Sequence, residues 1–515
     1  MTTTRSADAQ HAKPLILPDD PHNQELVRQT HPAGWVNPTP RGRYNLVVIG
    51  SGTAGLTAAG GCAALGGRVA LIERHLTGGD CLITGCVPSK AIISSARVAA
   101  TIRQAARHGI RIPDGVQIDG AAVMERMRRL RAKISPHDSV QRLKEMGVDV
   151  YLGEAKFVSP NAVDVGGARL EFARAVIATG GRPVSPPVPG LQEADFLTNE
   201  TLFELSDIPK RFAMIGAGPI GCEMAQTFQR LGAHVTLIDV AAHVLNREDP
   251  DAAEIIQRAL QRDGVQLVLG AKVSRVARRS SETIVTIEQR GRSAEIVCDA
   301  LLVGVGRAPN IEGLNLEAAG VRYEKQGVTV NDFLQTSNPR IYAAGDVASP
   351  YKFTHVANAQ GRLALINALF VPIQRTSRLI IPWCTYTDPE IAHVGLYEAQ
   401  AKERGHEVQT LTLPLEENDR AVVDGEDEGF IRVHLKRGTD RILGATIVAA
   451  HAGDLLTYFT LAMAQRKGLS SLAGAIYPYP TQSEAIRQIA SQHLQTKLSS
   501  RVKDLTSRWL GWSRR

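Results

Sequence analysis

Cys81 and Cys86 stand five positions apart in GGDCLITGCVPSK (residues 78–90), in a chain of 515 residues with only six cysteines. Two sulfurs this close can do redox or nucleophilic chemistry if the backbone allows it. Five residues of regular helix would advance about 7.5 Å and turn the side chain by about 140°, too far and the wrong way for a disulfide. A bond therefore needs a non-helical link, and Gly85 supplies the freedom for one. Pro88 suits the first turn of a helix, so the spacing predicts a helix starting near Cys86. At such a start, unpaired N–H groups and the helix dipole favour a thiolate and lower its pKa. Cys62, Cys222, Cys298 and Cys384 lie in apolar or strand-like contexts and read as buried, inert thiols.

The elements that must position such a pair are announced by an internal repeat. NLVVIGSGTAGLTAA runs from an apolar strand into Gly50, Gly52 and Gly55, and the following strand RVALIE ends in Glu73. RFAMIGAGPIGCEMA repeats the pattern with Gly216, Gly218 and Gly221, and HVTLID ends in Asp239. All four matched positions are offset by 166 residues, and each acid lies 23 residues after its first glycine. One GxGxxG is weak, but a strand before it, a helix after it and an acid at this distance make the full dinucleotide fingerprint. The glycines let a pyrophosphate approach the helix N-terminus, and the acid accepts hydrogen bonds from a ribose. Three glycine-punctuated strands complete the plan: VIATGGRP with Thr179 and Gly180, LLVGVGRAPN with Gly306, and IYAAGDVA with Gly345 and Asp346. An α/β protein with two dinucleotide sites is predicted, and a nicotinamide, a flavin and a cysteine pair then suggest an electron path.

Composition sets the frame. The chain is 43% hydrophobic and 22% charged, as expected of a globular protein large enough for two or three domains. Six cysteines are too sparse for a secreted disulfide scaffold, so the expected setting is cytoplasmic. No 18-residue apolar run is present, and a net charge of +7 without a dense basic-aromatic block does not imply nucleic acid.

With these motifs the sequence resembles the flavoprotein disulfide reductases, the family of dihydrolipoamide dehydrogenase, glutathione reductase and mercuric reductase, from about residue 44 to about residue 495. The resemblance implies a homodimer built from two Rossmann-like dinucleotide-binding domains plus a C-terminal α+β dimerisation domain. The boundaries expected are an N-terminal arm (1–43), an FAD-binding domain in two parts (44–187 and 311–350), an NAD(P)-binding domain (188–310), an interface domain (351–495) and a basic amphipathic tail (496–515). It assigns FAD to Gly50, Gly52, Gly55, Glu73, Lys90, Thr179, Gly180, Gly345 and Asp346, and the nicotinamide dinucleotide to Gly216, Gly218, Gly221, Asp239 and Gly306. Cys86 matches the charge-transfer cysteine and Cys81 the outer thiol that meets substrate. Lys90 and Glu223 match a lysine-carboxylate pair near the flavin, where a cation would stabilise the reduced ring. Asp239 would repel a 2′-phosphate, and no Arg or Lys follows it until Arg247, so NADH is expected, with NADPH as the alternative.

Two departures are informative. Where thiol-oxidising members carry an acid/base histidine, the segment IYPYPTQSEA has Tyr479, while the supporting Glu484 is retained. Tyrosine, with a pKa near 10, is a poor base at neutral pH, which disfavours dithiol oxidation and resembles the mercuric reductase branch. That branch ends in a cysteine pair, however, and this chain has no cysteine after Cys384 and none in residues 1–43. The second departure is Asp80, in place of the family's usual threonine; its charge is expected to raise the Cys81 pKa.

Residues 1–43 lack sustained periodicity and predict a partly extended arm whose histidines, His11, His22 and His31, are solvated. In the tail, Leu494, Leu498, Val502, Leu505, Trp509 and Trp512 recur at helical spacing among basic residues, predicting an amphipathic helix for a membrane surface or a protein contact. The expected function is NAD(P)H-dependent reduction of a small disulfide or a metal thiolate. Dihydrolipoamide dehydrogenase and a non-catalytic flavin-binding redox sensor are the alternatives.

Overall fold

The computed structural model describes residues 16–497 and 500–514, without the side chains of residues 500 and 501. Two compact units divide the chain: the first runs to Gly216 and takes in Thr227–Ile238 and Ala271–Arg378, and the second is Ala217–Gln226, Asp239–Gly270 and the chain from Leu379 onward.

In the first unit the apolar run Tyr44–Ile49 lies inside a seven-stranded sheet. It pairs in parallel with Val69–Glu73 and Ala168–Ile177, Val47 standing opposite both Ala70 and Ala175. Val148–Leu152 and Ile341–Ala343 extend the parallel set, and two antiparallel strands, Ala162–Val165 and Ala155–Ser159, complete the sheet. Leu46, Val47, Val48 and Ile49 are all buried, which is why the strand reads as an unbroken apolar run rather than an alternating one. Each such side chain removed from water contributes ~1.5–3 kcal/mol. The second repeat supplies a smaller parallel set in which Ile215 of Arg211–Ile215 faces Ile238 on one side and Val303 on the other. A short ribbon pairs Gly181–Pro183 with Arg307–Pro309 and so brings the GGRP and GRAPN segments together.

The second unit is organised by a five-stranded antiparallel sheet, in the order Pro382–Thr385, Glu390–Gly395, Ile442–Ala449, Phe430–Lys436, Val408–Pro414. Every residue of Ile442–Ala449 is buried. Helices Ala452–Ala464 and Glu484–Thr496 join its core through Leu456, Phe459, Ile486 and Ile489. Parallel sets followed by an antiparallel sheet with helices give the α/β architecture, with an α+β C-terminal part, that the sequence predicts.

The N-terminal arm differs from the expectation of an extended segment. Pro21–Thr30 is a helix: Asp20 caps it by accepting the Asn23 N–H at 2.8 Å, and Pro21 occupies its first turn. His31 is buried rather than solvated, its Nδ1–H donating to the His75 carbonyl, while His11 lies outside the described residues. Ser500–Trp512 is a helix, as predicted for the tail, but Leu494 belongs to the preceding helix Glu484–Thr496 and Leu498 lies outside the described residues. Among the described residues no helix is long and apolar enough to cross a membrane.

Candidate active site

The cysteine segment is bent as its glycines allow. A short helix, Gly79–Ile83, carries Cys81; the chain then breaks at Thr84 and Gly85, and Cys86 opens the helix Cys86–Gln104. A Cβ at Gly85 would lie 2.8 Å from the Asp80 carbonyl oxygen, so only glycine fits the break. Both cysteines are free thiols, Cys81 half-buried and Cys86 exposed. Cys81 donates to the Cys86 sulfur, and this bond is the largest reason Cys86 is pulled down to about 6. The Thr354 hydroxyl, 3.2 Å away, and the Lys90 cation lower it further. The same bond, reinforced by burial, holds the Cys81 thiol well above its ordinary range. The pair is thus a thiolate-thiol couple with the charge on Cys86, as expected of a sulfur at a helix N-terminus.

Asp80 does not stand as a lone charge beside Cys81, as the sequence suggested. Its carboxylate is paired with the Arg307 guanidinium, which also donates to the Gly181 carbonyl at 2.6 Å and lies 3.3 Å from an Asp346 oxygen. The carboxylate that adds to the rise of Cys81 is Asp138, on another segment. Asp346 is itself raised, chiefly by burial, with Arg307 and Lys352 opposing.

Behind the cysteines stands the N-terminal helix. Leu26 and Val27 pack with Leu76, Leu82 and Ile83 in a small core that also takes in Val87, so the side chains next to Cys81 and Cys86 in sequence are anchored on the arm. Arg131, fully buried on the helix Gly120–Ile134, donates to the Ile83 carbonyl and to Asn23 Oδ1, each at 2.7 Å. Burial brings this guanidinium down to about 10. Arg128 pairs with the capping Asp20, and Thr77 donates its N–H to the Thr30 carbonyl.

The first fingerprint fits a dinucleotide. Gly50 has φ +99°, and a Cβ there would lie 2.4 Å from the Ala178 carbonyl oxygen; one at Gly55 would lie 1.8 Å from that of Gly50. The helix Thr53–Ala64 starts at Gly52 with no side-chain cap, which leaves its first N–H groups to phosphate oxygens. Glu73 accepts the Ser51 N–H and hydroxyl at 2.8 and 2.7 Å, placing a carboxylate beside the turn. Thr179 and Asn310 bond each other reciprocally, and Gly345 donates its N–H to Gln360. In the second fingerprint Gly216 has φ +107° with Gly304 against it, and a Cβ at Gly218 would meet nothing within 4 Å. Asp239 accepts the N–H groups of Ala217 and Ala241 at 2.6 and 2.7 Å. Gly306, at φ +139°, accepts the Val184 N–H.

Lys90, Cys81 and Cys86 come together in the first unit, whereas Glu223, Tyr479 and Glu484 belong to the second. Glu223 accepts the Tyr386 N–H at 2.9 Å. Tyr479 is exposed and donates to Asp419 at 2.9 Å, which holds its pKa above the usual value; Glu484 accepts instead from Arg487 at 2.6 Å. Cys62, Cys222 and Cys298 are buried thiols raised by burial, as expected. Cys384 is only half-buried, within 3.8 Å of Glu390. Sequence reasoning missed Thr354, Arg131, Asp138 and Asp419, none of which carries a local motif; Arg307 lay inside the GRAPN segment noticed only for its glycine.

Comparison with known proteins gives concordant matches. Residues 44–361 match the model described as pyridine nucleotide-disulphide oxidoreductase, and residues 381–490 match the dimerisation domain of the same description. The chain is 36% identical over 450 residues to a mercuric reductase of Staphylococcus aureus, covering 87% of this chain and 82% of that protein. To a dihydrolipoyl dehydrogenase of Bacillus subtilis it is 32% identical over 463 residues, covering 87% and 97%. Among solved structures, the Cu(II) complex of the HOCl-induced flavoprotein disulfide reductase RclA from Escherichia coli superposes with a TM-score of 0.78 at 28% identity, over 88% of this chain and 100% of that one.

Proposed function

Because the chain belongs to the pyridine nucleotide-disulphide oxidoreductases, we propose that it passes electrons from NAD(P)H through a Cys81–Cys86 redox disulfide to a small disulfide or a metal thiolate, as a homodimer. The family carries FAD and uses NAD(P)H. Bound FAD would supply the two-electron relay between nicotinamide and sulfur. Gly50, Gly52, Gly55, Glu73, Thr179, Gly180, Gly345 and Asp346 would hold it, and Gly216, Gly218, Gly221, Asp239 and Gly306 the nicotinamide dinucleotide, with NADH favoured by the Asp239 carboxylate.

The observation that carries this reading is the setting of the two sulfurs: Cys86 opens the helix Cys86–Gln104 with the Thr354 hydroxyl 3.2 Å from its sulfur, which favours the negative charge there and leaves the proton to Cys81. Two electrons and one proton break the disulfide to that state. Lys90 and Thr354 keep the charge on Cys86, and Lys90 with Glu223 would set the field at the flavin. Cys81 is then the outer group: on losing its proton it attacks a substrate disulfide and expels a thiolate, or it ligates a thiolate-bound metal. Cys86 re-forms the internal disulfide by attacking the Cys81 sulfur of the mixed disulfide and expelling the second thiolate; with a metal, the two sulfurs displace its thiolates, and two electrons pass to the metal as the disulfide re-forms. Tyr479 and Glu484 of the partner subunit would serve this step, the tyrosine turning its one O–H from Asp419 to the leaving thiolate.

Mercuric reductase-type activity is favoured over dihydrolipoamide oxidation by Tyr479, whose bond to Asp419 keeps the phenol protonated and so unable to take a proton at neutral pH. NADH consumption by the purified flavoprotein, with Hg(II) in excess thiol, with small disulfides and with lipoamide, tests the reading. Turnover on a metal thiolate or disulfide supports it; turnover on dihydrolipoamide with NAD alone would move the protein to the other branch.

A further inference from the structure

We propose that the helix Ser500–Trp512 lies flat on an anionic lipid surface and holds the protein there. At about 100° per residue, Val502, Leu505, Trp509 and Trp512 fall within an arc of about 80°. Among the described residues three members of this stripe stand largely open: Leu505 is 72% exposed, Trp509 64% and Trp512 68%. The two indoles sit side by side, ring centroids 5.4 Å apart, as amphipathic rings that suit the headgroup level of a bilayer. Lys503 and Arg508 flank the stripe on either side.

Charge selects the occupant. Residues 497–515 hold six basic side chains and one acidic, a net +5 against +7 for the whole chain, so the rest of the molecule is close to neutral. A second copy of this helix would bring like charge against like charge, whereas phosphatidylglycerol or another anionic lipid supplies the opposite sign. The helix also lies beyond residue 490, where the match to the family's dimerisation domain ends. With 13 residues it is too short to span a bilayer, which leaves the interface.

Co-sedimentation of the full-length holoprotein with vesicles of phosphatidylcholine alone, and with phosphatidylglycerol added, tests this. The expected result is pelleting with the anionic vesicles only, weakened by salt and by about tenfold or more in K503E/R508E and in W509S/W512S. NADH-dependent turnover in solution should be unchanged in both variants. Failure of the full-length protein to pellet with anionic vesicles, or equal binding by the variants, overturns the proposal. So does conversion of dimer to monomer by W509S/W512S in light scattering, since the stripe would then be a subunit contact.

Discussion

Arg307 grips Asp80, the residue immediately before the outer cysteine, and at the same time lies beside Asp346. The cation is largely enclosed, while Asp80 remains about half open to water. Replacing Arg307 by Met should therefore cost about 2–4 kcal/mol of stability, below a fully buried pair because one partner is partly solvated. Urea unfolding of R307M against the parent measures it; a loss under about 0.5 kcal/mol, the scale of an ordinary surface pair, would show the link to be incidental. Asp80→Asn should remove a negative charge next to Cys81 while Arg307 keeps Asp346 as a partner, and so should speed Cys81 alkylation at neutral pH.

The charge on Cys86 has a pH signature. Its pKa lies below that of an ordinary thiol, so the thiolate is present above the shifted value of about 6 and is lost as pH falls through it. In dithionite-reduced protein, the alkylation rate of Cys86 should rise with a midpoint near pH 6. Cys81→Ala removes the largest lowering contribution and should move that midpoint upward, and Thr354→Val should move it upward by less. A midpoint that ignores Cys81→Ala would separate the two sulfurs.

Tyr479 offers a gain-of-function test. Tyr479→His would place an imidazole beside Asp419, whose negative charge favours the protonated ring, and would supply the missing acid/base group. Dihydrolipoamide-dependent NAD reduction should increase by about tenfold or more, on the scale of general acid/base catalysis. No increase would mean that this position does not limit thiol oxidation.

Arg131 links the arm to the cysteine segment. Arg131→Met strands the Ile83 carbonyl and Asn23 Oδ1, at a cost of about 2–3 kcal/mol. Beyond the stability loss seen by denaturant, alkylation of Cys81 should accelerate and the reduction potential of the pair should shift. Arg131→Lys, which keeps one donor in reach, should restore part of both; potentials equal to the parent would confine Arg131 to stability.

What the sequence made legible was whatever local rules govern. Apolar runs ending in glycine became parallel strands, Gly85 became the break between the cysteines, and Cys86 became a helix start because each outcome depends on neighbouring residues. The partners that set the chemistry were hidden by distance. Thr354 reaches Cys86 across 268 positions, and Arg307 reaches Asp80 across 227. Asp80 was misjudged for the same reason, since the sequence displays its charge but not the cation that meets it. The helix Pro21–Thr30 escaped notice although Asp20-Pro21 is a start signal, because its apolar residues acquire a face only when Leu82 and Ile83 are folded against them.

That arm has a practical consequence for anyone who trims this enzyme to the stretch its relatives share. A chain beginning at residue 44 would keep both nucleotide fingerprints and both sulfurs, yet expose Leu82 and Ile83 to water and deprive Arg131 of Asn23. Such a truncate could bind its cofactors and still work with a slackened thiol pair, and its poor turnover would be blamed on the wrong substrate.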